Sequence, residues 1–168
     1  SAATSITASG ASAVVTVNAA ALAQNTALTV TGSAAETVTG LVGDIAAGAL
    51  TGVLAVTTGD AADNTISVTT GSAATSITGS FNTDTVTVNA AALANNITLT
   101  LAGSAAETVT GLVGNVAAGS LTGALTVTTG NATDNTIAIT TGSAATSITA
   151  SGASDVVTVN ATALADNA

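Results

Sequence analysis

The chain has 168 residues, with nine acidic side chains and no lysine, arginine or histidine, so its formal net charge is −9. Nucleic-acid binding and attachment to an anionic membrane surface both depend on lysine and arginine, so the composition excludes these two kinds of partner. Cysteine is also absent, which excludes disulfides and thiolate metal sites, and no apolar run approaches the roughly 18 residues of a membrane-spanning helix.

Short segments that alternate an apolar residue with Thr or Ser recur along the chain, and this alternation predicts half-buried β-strands. The clearest cases lie at residues 15–18, 28–31 and 65–69. Eight groups of apolar anchors fall within the first 71 residues, namely Ile6, Val15/Val17, Leu22, Leu28/Val30, Val38, Ile45, Leu54/Val56 and Ile66/Val68. The Ala-rich residues 19–25 and the Gly-rich residues 40–52 have no clean period, and we expect irregular rungs or corner loops there.

The pattern repeats with a long period. Val17-Asn18 returns at Val88-Asn89 and again at Val159-Asn160, and 88 − 17 = 159 − 88 = 71. This period divides the chain into a first repeat (residues 1–71), a second repeat (residues 72–142) and a partial third repeat (residues 143–168). We expect one continuous solenoid, because a unit of this size buries its apolar face only against stacked neighbours.

Two parallel β-solenoids fit the spacing of the anchors. A two-sided β-roll with half-turns of about nine residues gives four coils per long repeat. A three-sided β-helix with coils of about 24 residues gives three. The sequence favours the two-sided roll slightly, and both alternatives are all-β.

The turns between the strands share a motif in which a Gly is followed by a polar or acidic residue and then by a β-branched apolar residue. Residues 79–87 carry Gly79, Asp84 and Val86 in this order, and residues 31–39 carry Gly32, Glu36 and Val38. The motif resembles a degenerate form of the calcium-binding nonapeptide of RTX proteins, Gly-Gly-x-Gly-x-Asp-x-U-x. The chain as a whole is similar to the Thr/Ala-rich repeats of large bacterial surface proteins.

The resemblance implies calcium between successive turns, held by carboxylates and carbonyls. The candidate calcium ligands are Glu36, Asp60, Asp63, Asp84, Glu107, Asp134 and Asp155. In the competing interpretation these acids cap turns by bonding their own backbone. Two substitutions between the repeats favour capping, since Asp60 becomes Asn131 and Asp44 becomes Asn115.

Enzymatic activity is not expected. The chain has no His, Cys, Lys, Arg or Tyr to act as a base, a nucleophile or an oxyanion clamp. A carboxylate pair such as Asp60 and Asp63 is a formal candidate for acid–base chemistry. However, an active site is usually single, whereas these acidic turns recur.

Outward-facing threonines suggest one further ligand class. Flat threonine arrays on β-solenoids resemble the ice-binding faces of some antifreeze proteins, and the candidates here are Thr29, Thr31, Thr37, Thr39, Thr57 and Thr69. Ordinary β-propensity on a solvated face explains the same residues, and we favour that explanation.

The sequence therefore predicts a structural repeat segment of a secreted or cell-surface protein, bacterial in type, that forms a fibre, a stalk or a surface layer. The alternatives are a calcium-dependent RTX-type roll and an ice-binding solenoid. The expected partner is the protein itself, through end-to-end stacking or continuation of the same chain; contact with a surface or a glycan stays open.

Overall fold

A computed structural model of the chain describes residues 4–61, 63–132, 135–152 and 155–166. Within these residues the chain forms sixteen β-strands and no helix, so none of the described segments is a helix able to cross a membrane. Strands with odd numbers form one sheet and strands with even numbers form a second, each of eight strands, and neighbouring strands in both sheets are parallel.

The odd sheet contains, in spatial order, β1 (Thr4–Ala8), β3 (Ala27–Gly32), β5 (Asp44–Ala46), β7 (Thr65–Thr69), β9 (Thr85–Asn89), β11 (Ala106–Leu112), β13 (Leu125–Thr129) and β15 (Thr146–Thr149). The even sheet contains, from the opposite end, β16 (Val156–Asn160), β14 (Thr136–Thr140), β12 (Asn115–Leu121), β10 (Thr98–Gly103), β8 (Thr75–Gly79), β6 (Leu54–Thr58), β4 (Ala35–Leu41) and β2 (Val14–Asn18).

The chain thus alternates between the two sheets and confirms the two-sided solenoid. In β9 the side chains of Val86 and Val88 point inward and are 0% exposed, whereas Thr87 between them lies on the outer face. The β-branched residues suit the pleat, and the period of two places every second side chain in the core. The alternation visible in the sequence is therefore the alternation between core and solvent.

The core is a single continuous layer between the sheets, built from aliphatic side chains and alanine. Its largest fully buried members are Leu41, Leu50, Leu54, Ile66, Ile77, Leu93, Leu99, Leu101, Leu112, Leu121, Leu125 and Ile137. Each such side chain contributes on the order of 1.5–3 kcal/mol through burial. Every coil except the terminal ones shares this core with a coil on either side.

Each 71-residue repeat contributes seven strands, β1–β7 and then β8–β14, rather than the eight that the apolar anchors suggested. The extra anchor, Leu22, is buried at 9% exposure but lies in a turn between β2 and β3. Seven strands make three and a half coils. Equivalent strands of successive repeats therefore lie in opposite sheets, as β1 in the odd sheet and β8 in the even sheet show.

The two irregular segments have different outcomes. Residues 19–26 form turns without a strand, as expected for a corner. Residues 40–52 include the end of β4 and all of β5, so part of this segment is a regular rung. A β-bulge between Val38 and Leu41 contains Gly40 at φ +64°, a left-handed conformation that glycine adopts without strain.

Candidate functional site

The seven predicted ligand residues do not share one environment. Glu36, Asp84 and Glu107 are each 1% exposed, Asp155 is half-buried, and Asp60 and Asp63 are exposed. Asp134 lies outside the described residues. In the described part of the chain, no group of three or more acidic side chains is arranged to hold a metal ion. Calcium binding stays a prediction, and the structure supplies another role for several of these acids.

Asp84 lies at a corner just before β9 and bonds to the preceding coil. The backbone N–H of Asn64 donates to Asp84 Oδ1 at 3.1 Å, and Asn64 Nδ2 donates to the carbonyl oxygen of Val42 at 2.6 Å. Three successive coils are tied together by this series, which we call the corner ladder. The Asp84 carboxylate therefore caps a neighbouring coil rather than its own turn.

A second corner ladder lies 71 residues further on, in the opposite corner of the solenoid. The backbone N–H of Asn135 donates to Asp155 Oδ1 at 3.3 Å, and Asn135 Nδ2 donates to the carbonyl oxygen of Val113. The first repeat has Ala13 at the position of Asp84 and Asp155, so the carboxylate is present in only two of three copies. One oxygen of each acid, Oδ2, is buried and has no hydrogen-bond partner.

A third carboxylate, Asp44, shows why aspartate and asparagine exchange between the repeats. Asp44 Oδ1 accepts a hydrogen bond from the backbone N–H of Ser67 at 2.8 Å. Its equivalent Asn115 uses Oδ1 in the same way, with the backbone N–H of Ala138 at 2.8 Å. The oxygen is used as a neutral acceptor would be, because the amide performs the same function without a charge.

Glu36 and Glu107 occupy a different position from Asp84, although the turn motif aligned all three. Each glutamate lies inside a strand, on its inward face. Glu36 pairs with Val15 and Leu54, and Glu107 pairs with Val86 and Leu125. Asp84, two residues before Val86, belongs to the corner instead. Because side chains alternate with a period of two, a shift of two residues along the strand kept the acid on the same side and concealed the difference.

Neither glutamate carboxyl group has a hydrogen-bond partner. All four of their side-chain oxygens are buried and unbonded. Burial raises the pKa of both side chains, and it raises the pKa of Glu107 to about 8. A calcium ion requires six to eight oxygen ligands, whereas the paired neighbours of these carboxyls are hydrocarbon. We do not assign either glutamate as a ligand.

The six candidate ice-binding threonines are divided between the two outer faces. Thr29, Thr31 and Thr69 lie in the odd sheet, and Thr37, Thr39 and Thr57 lie in the even sheet. In the odd sheet Ala46 stands between Thr29 and Thr69 in the register. The threonines thus do not form one uninterrupted array.

The corner ladders and the buried glutamates were both missed by sequence reasoning. The spacing of a corner ladder varies, since the register between strands two apart ranges from 17 residues (Leu28↔Ile45) to 24 residues (Thr4↔Leu28). The one available signal was the pairing of Asn64 with Asp84, which recurs as Asn135 with Asp155. Comparison of the chain with protein-family models, with curated proteins and with solved structures gives no match.

Proposed function

We propose that the chain is a structural spacer, a repeat segment of a secreted or cell-surface bacterial protein that forms a fibre, a stalk or a surface layer. The observation that supports this proposal is the continuous core, which runs through both full repeats without a break in either sheet. Eight coils at about 4.8 Å per strand span roughly 38 Å. A stack of this kind resists bending because every interior coil pairs on both sides.

The surface chemistry is consistent with a spacer rather than an enzyme. The outward residues of the strands are mainly Thr, Ser and Ala, and the side chains of Lys, Arg and His are absent from the whole chain. Absence of Lys and Arg leaves no site for trypsin-type proteases, which favours persistence outside the cell. The calcium-dependent roll and the ice-binding solenoid remain alternatives that no particular contact in the structure favours.

The spacer function can be tested by changing length. Insertion of one additional 71-residue repeat between residues 71 and 72 should lengthen the particle by three and a half coils, or about 17 Å. Small-angle X-ray scattering measures this change in the longest dimension. A matched control inserts the same residues in shuffled order. An inserted repeat that leaves the longest dimension unchanged, or adds only disordered chain, would contradict the proposal.

The proposed partner is further solenoid, from a second copy of the chain or from more coils of the same polypeptide. Ile77 in the interior is 0% exposed, because β6 and β10 cover it on both sides, whereas its equivalents Ile6 in β1 and Ile148 in β15 are only partly buried. Near the first coil, Val17 and Leu22 line an open depression of about 210 Å³. Both terminal coils thus present the apolar side chains that stacking covers in the interior.

A charge placed on a terminal coil should block this association. Val159 in β16 is 45% exposed, although its interior equivalent Val88 is fully buried. Val159→Lys should reduce self-association in analytical ultracentrifugation, because an added coil would bury the ammonium. Val53→Lys, at a corner position of similar exposure (49%), is the control and should leave association unchanged. Equal association of both variants and the unmodified chain would count against stacking.

A further inference from the structure

The two glutamates are unusual because nothing in the chain compensates their burial. Glu107 lies in the middle of the odd sheet, with Val86 on one side and Leu125 on the other. Across the core, its Oε1 is 3.2 Å from the point that a Cβ atom would occupy at Gly79. The lack of a side chain at Gly79 therefore leaves space for the carboxyl group. Both carboxyl oxygens are buried and unbonded.

No cation is available to pair with either carboxyl. The whole chain has no Lys, Arg or His. The strands around Glu107, which are β8, β9 and β13, contain no titratable side chain, and neither do β2 and β6, which flank Glu36. The nearest acid to Glu107 in the sequence of its neighbouring strands is Asp84, whose Oδ1 is bonded to Asn64. The position equivalent to Asp84 next to Glu36 is Ala13.

An ionised carboxylate in such a place is expensive, because it loses its hydration and gains neither a hydrogen bond nor a counter-ion. A protonated carboxyl group avoids most of this cost. We propose that Glu36 and Glu107 are proton-dependent locks of the solenoid core, which hold the coils tightly packed while protonated and loosen them when they ionise. This inference is independent of the spacer function, since it concerns stability alone.

The direction of the pH dependence follows from linkage. The pKa of Glu107 is about 8 in the folded chain and near its model value of 4.5 when unfolded. Below the unfolded pKa both states are protonated and the stability is complete. As the pH rises through this window, only the unfolded state releases its proton. The folding equilibrium constant then falls by up to about tenfold per pH unit, and above the folded pKa it stops falling.

Urea unfolding followed by circular dichroism, between pH 4.5 and 9.5, tests the proposal. In the unmodified chain the unfolding midpoint should fall across this range. Glu107→Gln should remove the larger part of the slope, Glu36→Gln a smaller part, and the double variant nearly all of it. The control is Asp44→Asn, a substitution that the second repeat already carries as Asn115, and it should leave the slope unchanged.

A direct titration keeps the proposal testable even where a variant fails to fold. The chain contains only two glutamates, so glutamate labelled with ¹³C at the side-chain carboxyl gives two NMR signals. We expect both to titrate above the ordinary glutamate range, with Glu107 higher than Glu36. The proposal is overturned if both signals titrate near the ordinary value, or if the double Gln variant keeps the full pH slope of the unmodified chain.

Discussion

The first and second repeats have closely similar sequences, yet their equivalent residues have different surroundings. Val15 and Val17 in β2 are half-buried, whereas Val86 and Val88 in β9 are fully buried. The strands have nearly the same residues, but β2 has a neighbour on one side only, and β9 lies between β7 and β11. Burial in this fold is therefore supplied by the adjacent coils, as expected for a quasi-one-dimensional repeat protein.

The same comparison applies to the glutamates. Glu36 lies in the second strand from the end of the even sheet, whereas Glu107 lies in the sixth of the eight strands of the odd sheet. Both are almost inaccessible to solvent, and burial raises the pKa of each. Three exchanges accompany the change of place, since Ala8, Ala13 and Val14 become Gly79, Asp84 and Thr85.

The largest difference is expected for the isoleucine pair. Ile77→Ala should lower the free energy of unfolding by about 3–4 kcal/mol, because it opens a cavity in a closely packed interior. Ile6→Ala, the matched change in the half-buried terminal coil, should cost about 1 kcal/mol, because the site is already partly solvated. Urea unfolding measures both values. Equal losses would show that the terminal coil is packed as well as the middle.

A smaller difference is expected at the corner ladder. Asp84→Ala removes the acceptor of the Asn64 backbone N–H and should cost about 1–2 kcal/mol, since a buried donor loses its partner. Asp60→Ala, at an exposed position of the preceding turn, is the control and should change stability by less than about 0.5 kcal/mol. Thermal unfolding compares the two variants. A loss at Asp60 as large as that at Asp84 would contradict a specific role for the ladder.

The smallest effect is expected from calcium. Because the corner carboxylates accept hydrogen bonds from neighbouring coils, chelation should leave the melting temperature unchanged in calorimetry, and millimolar calcium should not raise it. The same measurement on Asp84→Asn, which keeps the acceptor oxygen, separates the two interpretations. A melting temperature that falls with chelator in the unmodified chain, and no longer does so in the variant, would establish Asp84 as a ligand.

Much of the fold could be predicted from alternation and period, because both reflect local physics. The inward position of Val86 and Val88 follows from the pleat alone. The strand count could not, because a buried leucine in a corner, such as Leu22, has the same hydrophobic signal as one in a strand.

The environment of the acids was also beyond sequence reasoning. The partner of Asp84 is 20 residues away along the chain, at a distance set by irregular coil lengths that leave no regular signal. The inward glutamates were concealed because a buried acid without a counter-ion is rare, and the turn motif offered an exposed position instead.

The odd number of strands per repeat has a consequence for the direction in which the solenoid presents whatever it carries. Adding or losing a single repeat turns every later coil by half a revolution about the long axis, whereas adding or losing two restores the original aim. Length and orientation are thus coupled through parity. A surface attached beyond these coils would face opposite sides in variants that differ by one repeat, so changes in repeat number select a side as well as a reach.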